Sequence, residues 1–262
     1  MKKVSGLFLI IFIITMMISP AQCEDNALDL ILKKIDEVKA AGKTPVLIFD
    51  LDGTLFYTDQ RQKFILLEWA DANSKKHPEV VAKLKTITNK HCEYLISSTL
   101  ANLDVKNEKI VKEINDFWWK RFFTNIYLMV DKPIEGGAAY VNKCYEKGAK
   151  IVYLTGRDVP NMGFGTEESI KHHKFPYDEK QAIKMLKPTN KMKDDNYKGE
   201  AAKTIAGFGE IVGVFENQPK NLVLLHTIFP TSVPVFLDTN FNPRDKTVLG
   251  KEIFKIKNYM NE

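Results

Sequence analysis

Two kinds of apolar pattern follow each other between residues 25 and 50. From Asp25 to Ala41 the apolar residues recur three and four positions apart, which predicts a helix that ends at Gly42. Val46 to Phe49 then form a continuous apolar run of strand length. Such a run is typical of a strand that is buried on both faces of a parallel sheet.

The alternation of helical and strand patterns returns after residue 135 and continues to residue 239. Strands are predicted in AKIVYLTGRD, QAIKMLK, EIVGVFEN and VPVFLDT, and helices in residues 138–147, in TEESIKHHK and in residues 196–207. Strands that alternate with helices predict an α/β core with a mostly parallel sheet.

Residues 60–125 interrupt this alternation with helical patterns. One helix is predicted in QKFILLEWADANSKK, a long one in EVVAKLKTITNKHCEYLISSTLANLD, and another in NEKIVKEINDFWWKRFFTN. We therefore expect a helical cap over residues 60–130, inserted into a core made of residues 23–59 and 131–262.

The first 22 residues have the three-part layout of a secretory signal peptide. Lys2 and Lys3 precede an apolar run of about 12 residues, which is shorter than the roughly 20 residues of a membrane span, and Ser19-Pro20-Ala21 follows. We expect an exported protein, periplasmic or extracellular. Two alternatives stay open: lipidation at Cys23, where Gln22 replaces the expected small residue, and an uncleaved membrane anchor.

Composition limits the classes of function. The 262 residues carry a formal net charge of +5, and the lysines are spread along the chain rather than gathered in a basic tract. This distribution predicts a solvated surface and argues against nucleic acid as a partner. Cys92 and Cys144 lie in different predicted helices, so we expect two buried thiols, with a disulfide as the alternative in an exported protein.

Polar residues stand where four of the predicted strands end. Parallel strands place their carboxyl ends at one edge of the sheet, where ligands bind. We expect the side chains at these ends to converge on one pocket with Lys198, which begins the helix before EIVGVF. The strand ends are Asp50-Leu51-Asp52, Thr155-Gly156-Arg157, Glu216-Asn217 and Asp238-Thr239.

These motifs resemble those of the haloacid dehalogenase (HAD) superfamily, most of whose members are phosphatases. DLDGTL resembles the first motif, IVYLTGR the second, and a lysine at a helix start with VGVFENQPKN the third and fourth, so that the resemblance covers residues 45–240. FENQPKN, HTIFP and FLDTNFNP are also similar to a bacterial HAD group. The resemblance implies a Rossmann-like three-layer sandwich with a mostly parallel sheet, a helical cap, and a Mg²⁺-dependent phosphatase acting on a small phosphomonoester.

The resemblance assigns a role to each polar residue of the first motif. Asp50 would attack phosphorus to form an aspartyl-phosphate, and would also bind Mg²⁺. Asp52 would protonate the leaving group and then activate water, and its backbone carbonyl would be a metal ligand. Gly53 would permit an unusual backbone turn that the hydroxyl of Thr54 holds, and Thr54 is also a candidate substrate contact.

The second and third motifs supply candidate phosphate contacts. Thr155 and the N–H of Gly156 would hydrogen-bond phosphate oxygens. Lys198 would pair with both the phosphate and the nucleophile, and Lys187, at the end of MLK, is the alternative lysine. Arg157 is a candidate for a second phosphate contact or a substrate contact or, equally, one half of a surface salt bridge.

The fourth motif departs from the superfamily, in which two aspartates or Gly-Asp are usual. Here Glu216 can still bind Mg²⁺ directly or through water, and Asn217 offers a neutral oxygen. The lower negative charge predicts weaker metal binding or a shifted ion. It motivates a second hypothesis, an exported binding protein that kept the fold and lost turnover. A third is a membrane-tethered interaction protein. Dehalogenation is disfavoured because it needs no metal, and HAD dehalogenases lack an acid that matches Asp52.

Overall fold

The structure, a computed structural model, describes residues 26–260. Within that part of the chain the central sheet has six strands, β1 (Pro45–Phe49), β4 (Lys150–Asp158), β5 (Ala182–Lys187), β6 (Glu210–Glu216), β7 (Val233–Leu237) and β8 (Phe254–Ile256). Strands β2 (Phe56–Tyr57) and β3 (Lys132–Pro133) form a separate antiparallel pair. The α-helices are α1 (Ala27–Ala40), α2 (Asp59–Ala72), α3 (Pro78–Leu84), α4 (Ile96–Asn102), α5 (Glu108–Phe122), α6 (Gly137–Glu146), α7 (Val159–His172), α8 (Asp194–Ile205) and α9 (Pro219–Ile228).

The central sheet is parallel throughout, in the order β5–β4–β1–β6–β7–β8. After β1 the chain builds toward one edge through β4 and β5, and then crosses to the other side of β1 to add β6, β7 and β8. The direction of winding therefore reverses between β1 and β6. In such doubly wound sheets ligands bind in the crevice outside the carboxyl ends of the strands at this reversal. The predicted Rossmann-like α/β fold is confirmed.

Strand β1 is buried on both faces, as its apolar run predicts. Leu47 and Phe49 belong to a hydrophobic cluster that includes residues of α1 and α6, whereas Val46 and Ile48 belong to one that includes residues of α8 and α9. Alternate side chains of a strand point to opposite faces, so the sheet is the middle layer of three. This position fixes the residues that follow β1 at the centre of the carboxyl edge.

Helices α2 to α5 pack on one another around a third hydrophobic cluster, which includes Ile65, Trp69, Leu100 and Ile114. The chain reaches these helices through β2 and returns from them through β3, where Phe56 pairs with Pro133. The antiparallel pairing brings the two ends of this helical segment side by side. Both ends are consequently close to the turn that follows β1.

The long helix predicted from Glu79 to Asp104 is wrong. Helix α3 ends at Leu84 and α4 begins at Ile96, with a single 3₁₀ turn at Asn89–His91 between them. The backbone N–H of Thr88 donates to Nδ1 of His91 at 2.9 Å, and the two residues form a capping box that starts a new turn. Local bonds of this kind compete with continued helix, and the β-branched residues just before Thr88 weaken it further.

Other element boundaries also differ from the predictions. Helix α7 begins at Val159, well before TEESIKHHK, because the carboxylate of Asp158 accepts from the N–H of Asn161 at 3.0 Å and caps the helix. Gly163 and Gly165 lower the helical propensity of its first turns and hide this start in the sequence. Helix α9 and the three-residue strand β8 were not predicted.

Among residues 26–260, no helix is both long enough and apolar enough to cross a membrane. The predicted signal peptide at residues 1–22, with Cys23, lies outside the described residues. Cys92 and Cys144 are free and buried, as expected, and burial raises the pKa of each thiol to about 12.

Candidate active site

Three charged side chains meet at the crevice between β1 and β6. Asp50 follows β1, Glu216 ends β6, and Lys198 lies in the second turn of α8. Lys198 Nζ donates to Asp50 Oδ1 at 2.7 Å and to Glu216 Oε2 at 2.5 Å. All three residues are buried. Two buried carboxylates therefore share one ammonium group, which leaves an excess of negative charge.

The pKa values of this group reflect that imbalance. Burial raises the pKa of Asp50 to about 7, and the charge of Glu216 adds to the shift while Lys198 opposes it. Burial alone would lower the pKa of Lys198, but the carboxylates of Asp50 and Glu216 raise it above its ordinary value. Lys198 is therefore a permanent cation beside Asp50, and a further cation at this position would favour the ionised form of Asp50.

The turn after Asp50 is held from several directions. Gly53 has a φ of +81°, and a Cβ at this position would collide with the side-chain amide of Asn217. The hydroxyl of Thr239 donates to the carbonyl oxygen of Gly53 at 2.6 Å. Thr54 is fully buried, and its hydroxyl donates to Asp50 Oδ2 at 3.3 Å. Its placement indicates that Thr54 orients the carboxylate of Asp50 rather than contacting a substrate from the solvent side.

Asp52 is bound by two arginines. Its Oδ1 accepts from Arg157 Nη2 at 2.6 Å and from Arg61 Nη2 at 2.7 Å, and its Oδ2 accepts from Arg157 Nε at 3.0 Å. Burial would raise the pKa of Asp52, but the guanidinium groups of Arg157 and Arg61 hold it well below its ordinary value. The alternative of a surface salt bridge for Arg157 is wrong, because its side chain is only 1% exposed and its ion pair is internal.

The two arginines share a second carboxylate. Asp131 lies between the helical segment and β3 and is buried. Its Oδ1 accepts from Arg61 Nε at 3.0 Å, its Oδ2 is paired with Arg61 Nη2, and Arg157 Nη2 lies 3.3 Å from the same oxygen. Sequence analysis missed both Arg61 and Asp131. The spacing of Arg61, Ile65 and Trp69 on one face of α2 is the signal that could have identified the arginine.

The second motif lies on β4, which is the strand next to β1 in the sheet. Thr155 is buried, and its Oγ1 accepts from the N–H of Arg157 at 3.3 Å. Gly156 faces the start of α8, because a Cβ there would collide with the carboxylate of Asp194. That carboxylate pairs with Lys187 Nζ at 2.7 Å. Lys187 is thus paired with Asp194, and Lys198 is the one of the two lysines that is bonded to the predicted nucleophile.

Both residues of the fourth motif, Glu216 and Asn217, are fixed by hydrogen bonds to neighbouring groups. Glu216 Oε1 accepts from the backbone N–H groups of Asn217 at 3.0 Å and Gln218 at 2.9 Å. The amide nitrogen of Asn217 donates to the carbonyl of Asn240 at 2.8 Å and to Thr239 Oγ1 at 3.3 Å. Its Oδ1 has Gln218 Nε2 at 3.5 Å as a weak donor. Asn217 therefore braces the turn around Gly53 in addition to any role as a ligand.

The side chains at this edge of the sheet supply only part of the oxygen ligands that a hard cation needs. Within residues 26–260, no group of three or more Asp, Glu, His or Cys side chains is placed to hold a metal ion. Asp50 and Glu216 do supply two carboxylates with an uncompensated charge, and oxygen ligands of this type suit Mg²⁺. A site here would need further oxygens, for which the Asp52 backbone carbonyl and Asn217 Oδ1 remain the predicted sources.

The helical segment contributes residues near this edge of the sheet. Asn240 Nδ2 donates to the carbonyl of Cys92 at 2.9 Å and to Asp59 Oδ1 at 3.3 Å, which ties the loop after β7 to the helices. Tyr94 is 43% exposed, and its pKa is raised by partial burial and by the charges of acidic residues at the site, including Asp50 and Glu216. Tyr94 was not predicted as a residue near the site.

The comparisons with known proteins found matches only among solved structures. No protein-family model matches the chain, and no curated protein matches it. A class C acid phosphatase from Bacillus anthracis with tungstate bound has 14% identity and a TM-score of 0.44 over 74% of this chain and 61% of that chain. A predicted phosphatase from Clostridium acetobutylicum has 13% identity and a TM-score of 0.41 over 74% and 84%. A HAD hydrolase of family IA, variant 3, from Entamoeba histolytica HM-1:IMSS has 14% identity and a TM-score of 0.44 over 82% and 94%.

The functional conclusion rests on the site rather than on these similarities. The site offers a buried carboxylate whose two oxygens have different partners, Lys198 and Thr54. It also offers a second carboxylate two residues later, bound by arginines, and a threonine and a glycine N–H on the neighbouring strand. This combination of an oriented oxygen nucleophile with fixed positive groups suits attack on an anionic, electrophilic centre such as phosphorus.

Proposed function

We propose that this protein is a HAD-type phosphatase that hydrolyses a small phosphomonoester through an aspartyl-phosphate at Asp50, with Mg²⁺ as cofactor. The observation that supports it most is the bond from Lys198 to Asp50 at the carboxyl end of the central strand. The resemblance to HAD proteins implies a lysine that pairs with the first-motif aspartate, and Lys198 is bonded to Asp50 in this way. The motif order along residues 45–240 agrees with it.

The first half of the reaction would begin with Asp50. Its carboxylate is oriented by Lys198 and Thr54, and one of its oxygens attacks phosphorus. A bond forms between that oxygen and phosphorus as the bond from phosphorus to the ester oxygen breaks. Asp52 in its protonated form gives its proton to the departing alkoxide, so that an alcohol leaves. Thr155 and the N–H of Gly156 would stabilise the phosphoryl oxygens.

In the second half, water attacks the phosphorus of the aspartyl-phosphate. Asp52, now a carboxylate, accepts the proton of the water, and the bond between phosphorus and the Asp50 oxygen breaks. Inorganic phosphate leaves and Asp50 returns to its initial state. Lys198 remains positively charged throughout and offsets the negative charge that gathers around Asp50.

Asp50, Glu216, the backbone carbonyl of Asp52 and Asn217 would hold the metal ion. Mg²⁺ bound there would reduce the repulsion between the carboxylates and the phosphate of the substrate. The raised pKa of Asp50 supports the need for such a cation, because the carboxylate must be ionised to act as a nucleophile.

The direct test is hydrolysis of p-nitrophenyl phosphate, with and without Mg²⁺. We expect turnover that depends on the metal and that Asp50→Asn lowers by at least about 1,000-fold, since the covalent nucleophile is lost. Asp238→Asn is the matched control, because Asp238 follows β7 at the same edge of the sheet and is exposed. Equal rates in both variants would contradict the proposal.

A second candidate function is binding without turnover. The observation that favours it is the fourth motif, where one oxygen of Glu216 is already occupied by two backbone N–H groups and the amide of Asn217 is bonded to Thr239 and Asn240. If no divalent ion supports hydrolysis of any phosphate ester tested, while inorganic phosphate still binds in calorimetry, this function replaces the first.

We also propose that the protein is exported. The support is the layout of residues 1–22, and the test is the mass of the N-terminal peptide of the protein recovered from its cells. A start at Gln22 or Glu24 agrees with a cleaved signal peptide and contradicts a membrane tether. A lipidated Cys23 would instead support a membrane-anchored protein.

A further inference from the structure

Two carboxylates and two guanidinium groups form a closed cluster of ion pairs. Its members are Asp52, Asp131, Arg61 and Arg157. Asp52 accepts from Arg157 at 2.6 and 3.0 Å and from Arg61 at 2.7 Å, so both of its oxygens are occupied by guanidinium N–H groups. Three of the roughly four acceptor sites of this carboxylate are taken by guanidinium N–H groups, and a carboxyl group between two guanidinium charges stays ionised and has no proton to give a leaving group. The proton transfer proposed for Asp52 therefore requires Asp52 to leave the arginines.

The four side chains differ in their access to solvent. The side chains of Asp131 and Arg61 are 0% exposed and that of Arg157 is 1% exposed, whereas that of Asp52 is 31% exposed. Asp52 is thus the one member of this cluster that can move into the site. Once it has moved, two guanidinium groups face a single carboxylate, and the remaining cluster carries one excess positive charge.

The arginines keep partners that hold them when Asp52 is absent. Arg61 is bonded to Asp131 and to the carbonyl of Phe122 at 3.2 Å, and its guanidinium lies 4.4 Å from the centre of the Phe122 ring. Arg157 retains Asp131 at 3.3 Å and Thr166 Oγ1 at 3.4 Å. Arg157 would then present Nε and Nη2 as a free pair of parallel donors, which is the geometry that binds carboxylate or phosphate in a bidentate way.

We propose that Arg61 and Arg157 bind a second anionic group of the substrate, which takes the place of the Asp52 carboxylate. The substrate would be a phosphomonoester whose alcohol portion carries a carboxylate or another phosphate. Binding of that group releases Asp52 for proton transfer to the leaving oxygen. The inference rests on the proposed function, because it describes the part of the substrate that is not hydrolysed.

The test uses phosphonates, which cannot be hydrolysed, and the full-length protein with Mg²⁺. Phosphonoacetate, 3-phosphonopropionate and 4-phosphonobutyrate are each compared by calorimetry with the alkylphosphonate that lacks the carboxylate. A bisphosphonate series of the same lengths distinguishes a second phosphate from a carboxylate. We expect at least one bifunctional ligand to bind about 10-fold or more tightly than its matched alkylphosphonate, since charge-assisted hydrogen bonds are gained.

Substitution of Arg61 or Arg157 would remove one of the two partners of the buried Asp131 and can unfold the protein, so the decisive variant is Asp52→Asn. It removes the charge that competes for the arginines. We expect it to tighten binding of the preferred bifunctional ligand by about 10-fold and to change binding of the matched alkylphosphonate by less than about 2-fold. A gain in affinity of this kind cannot result from misfolding.

Several results would overturn the proposal. They are equal binding of the matched ligands, no gain in Asp52→Asn, an equal gain for both ligands, and no binding of any phosphonate. An equal gain for both would mean that the arginines hold the phosphate that is hydrolysed. The p-nitrophenyl phosphate assay tests the proposed function separately, because p-nitrophenolate leaves without a proton from Asp52 and its departure does not need a second anion. Turnover there would leave the proposed function standing.

Discussion

Lys198 Nζ lies 2.7 Å from Asp50 Oδ1, and the same nitrogen is bonded to Glu216. The two carboxylates come from neighbouring parallel strands on either side of the point where the winding of the sheet reverses. Lys198 is therefore the residue that permits two acids to be buried together at the crevice. Lys198 should therefore affect both the stability of this edge of the sheet and the reactivity of Asp50.

Lys198→Met should impair both properties. Loss of the ammonium leaves two buried carboxylates without a partner, which should lower the free energy of unfolding by about 3–5 kcal/mol. The loss of a fixed positive charge beside the reacting phosphoryl group should lower kcat by about 100- to 1,000-fold. Urea unfolding and hydrolysis of p-nitrophenyl phosphate measure the two effects.

Lys187→Met is the control for that variant. Lys187 pairs with Asp194, whose side chain is 54% exposed, so the pair should contribute about 1 kcal/mol or less. We expect a loss of activity smaller than about 10-fold, because Lys187 does not contact Asp50. A larger loss in Lys187→Met than in Lys198→Met would show that the wrong lysine has been assigned to the phosphate.

Asp50 should make a contribution to the stability of the metal-free protein that falls as pH rises. Burial raises the pKa of Asp50 to about 7 in the folded state, from 3.8 in the unfolded chain. The folded state then binds the proton more tightly, so stability is highest below about pH 4 with respect to this group and declines up to about pH 7. Asn cannot ionise, so Asp50→Asn should be more stable than the wild type at pH 8 by on the order of 2 kcal/mol.

Urea unfolding in a chelator at pH 5 and pH 8 measures this difference. The advantage of Asp50→Asn should be smaller at pH 5, and addition of Mg²⁺ at pH 8 should reduce it by stabilising the wild type. An advantage that grows as pH falls would show that the carboxylate of Asp50 is stabilised, not destabilised, by its surroundings.

Gly53→Ala should be far more damaging than Gly42→Ala. Both glycines have positive φ, +81° and +71°, so each substitution carries the strain of a left-handed backbone, about 1–2 kcal/mol. A Cβ at Gly42 has no atom within 4 Å, whereas one at Gly53 collides with the side chain of Asn217. The difference in the free energy of unfolding between the two variants isolates the collision.

We expect Gly53→Ala to cost roughly 1–3 kcal/mol more than Gly42→Ala, and only Gly53→Ala to reduce activity, since the turn carries Asp52. Thermal or urea unfolding and the phosphatase assay provide the measurements. Equal stability of the two variants would mean that Asn217 moves away without cost and does not brace the turn.

Asp131→Asn should destabilise the junction between the helical segment and the core. Asp131 is fully buried and is a partner of both Arg61 and Arg157, so removing its charge leaves buried guanidinium groups under-compensated, at a cost of about 3–5 kcal/mol. Asp116→Asn removes an exposed pair with Lys112 on α5 and should cost about 0.5 kcal/mol or less. Urea unfolding of both variants measures the contrast, and similar costs would contradict a structural role for the buried cluster.

The fold and the centre of the site could be predicted because their signals are local. An apolar run that ends in polar residues marks a buried parallel strand, and parallel strands share one carboxyl edge, which brings Asp50 and Glu216 together. Lys198 could be placed near them because its helix precedes β6 directly.

The cluster around Asp52 could not be predicted in the same way. Arg61 and Asp131 are far apart in sequence, and they meet because β2 and β3 pair across the ends of the helical segment. Strands β2 and β3 have two residues each, which is too short for a periodic pattern in the sequence to reveal them. The sequence also left a surface salt bridge open for Arg157, because the residues that pair with it inside the protein lie on other elements. The long helix predicted through Thr88 failed because a side-chain bond to the backbone outweighed helical spacing.

The most direct test of the central claim is to identify the residue that becomes phosphorylated during turnover. The reaction would be quenched in the steady state, reduced with borohydride, which converts an acyl phosphate to homoserine, and analysed by peptide mass spectrometry. We predict homoserine at position 50 in a fraction of the wild-type protein and none in Asp50→Asn. Modification of another residue, or active turnover without any modification at Asp50, would contradict the proposed mechanism.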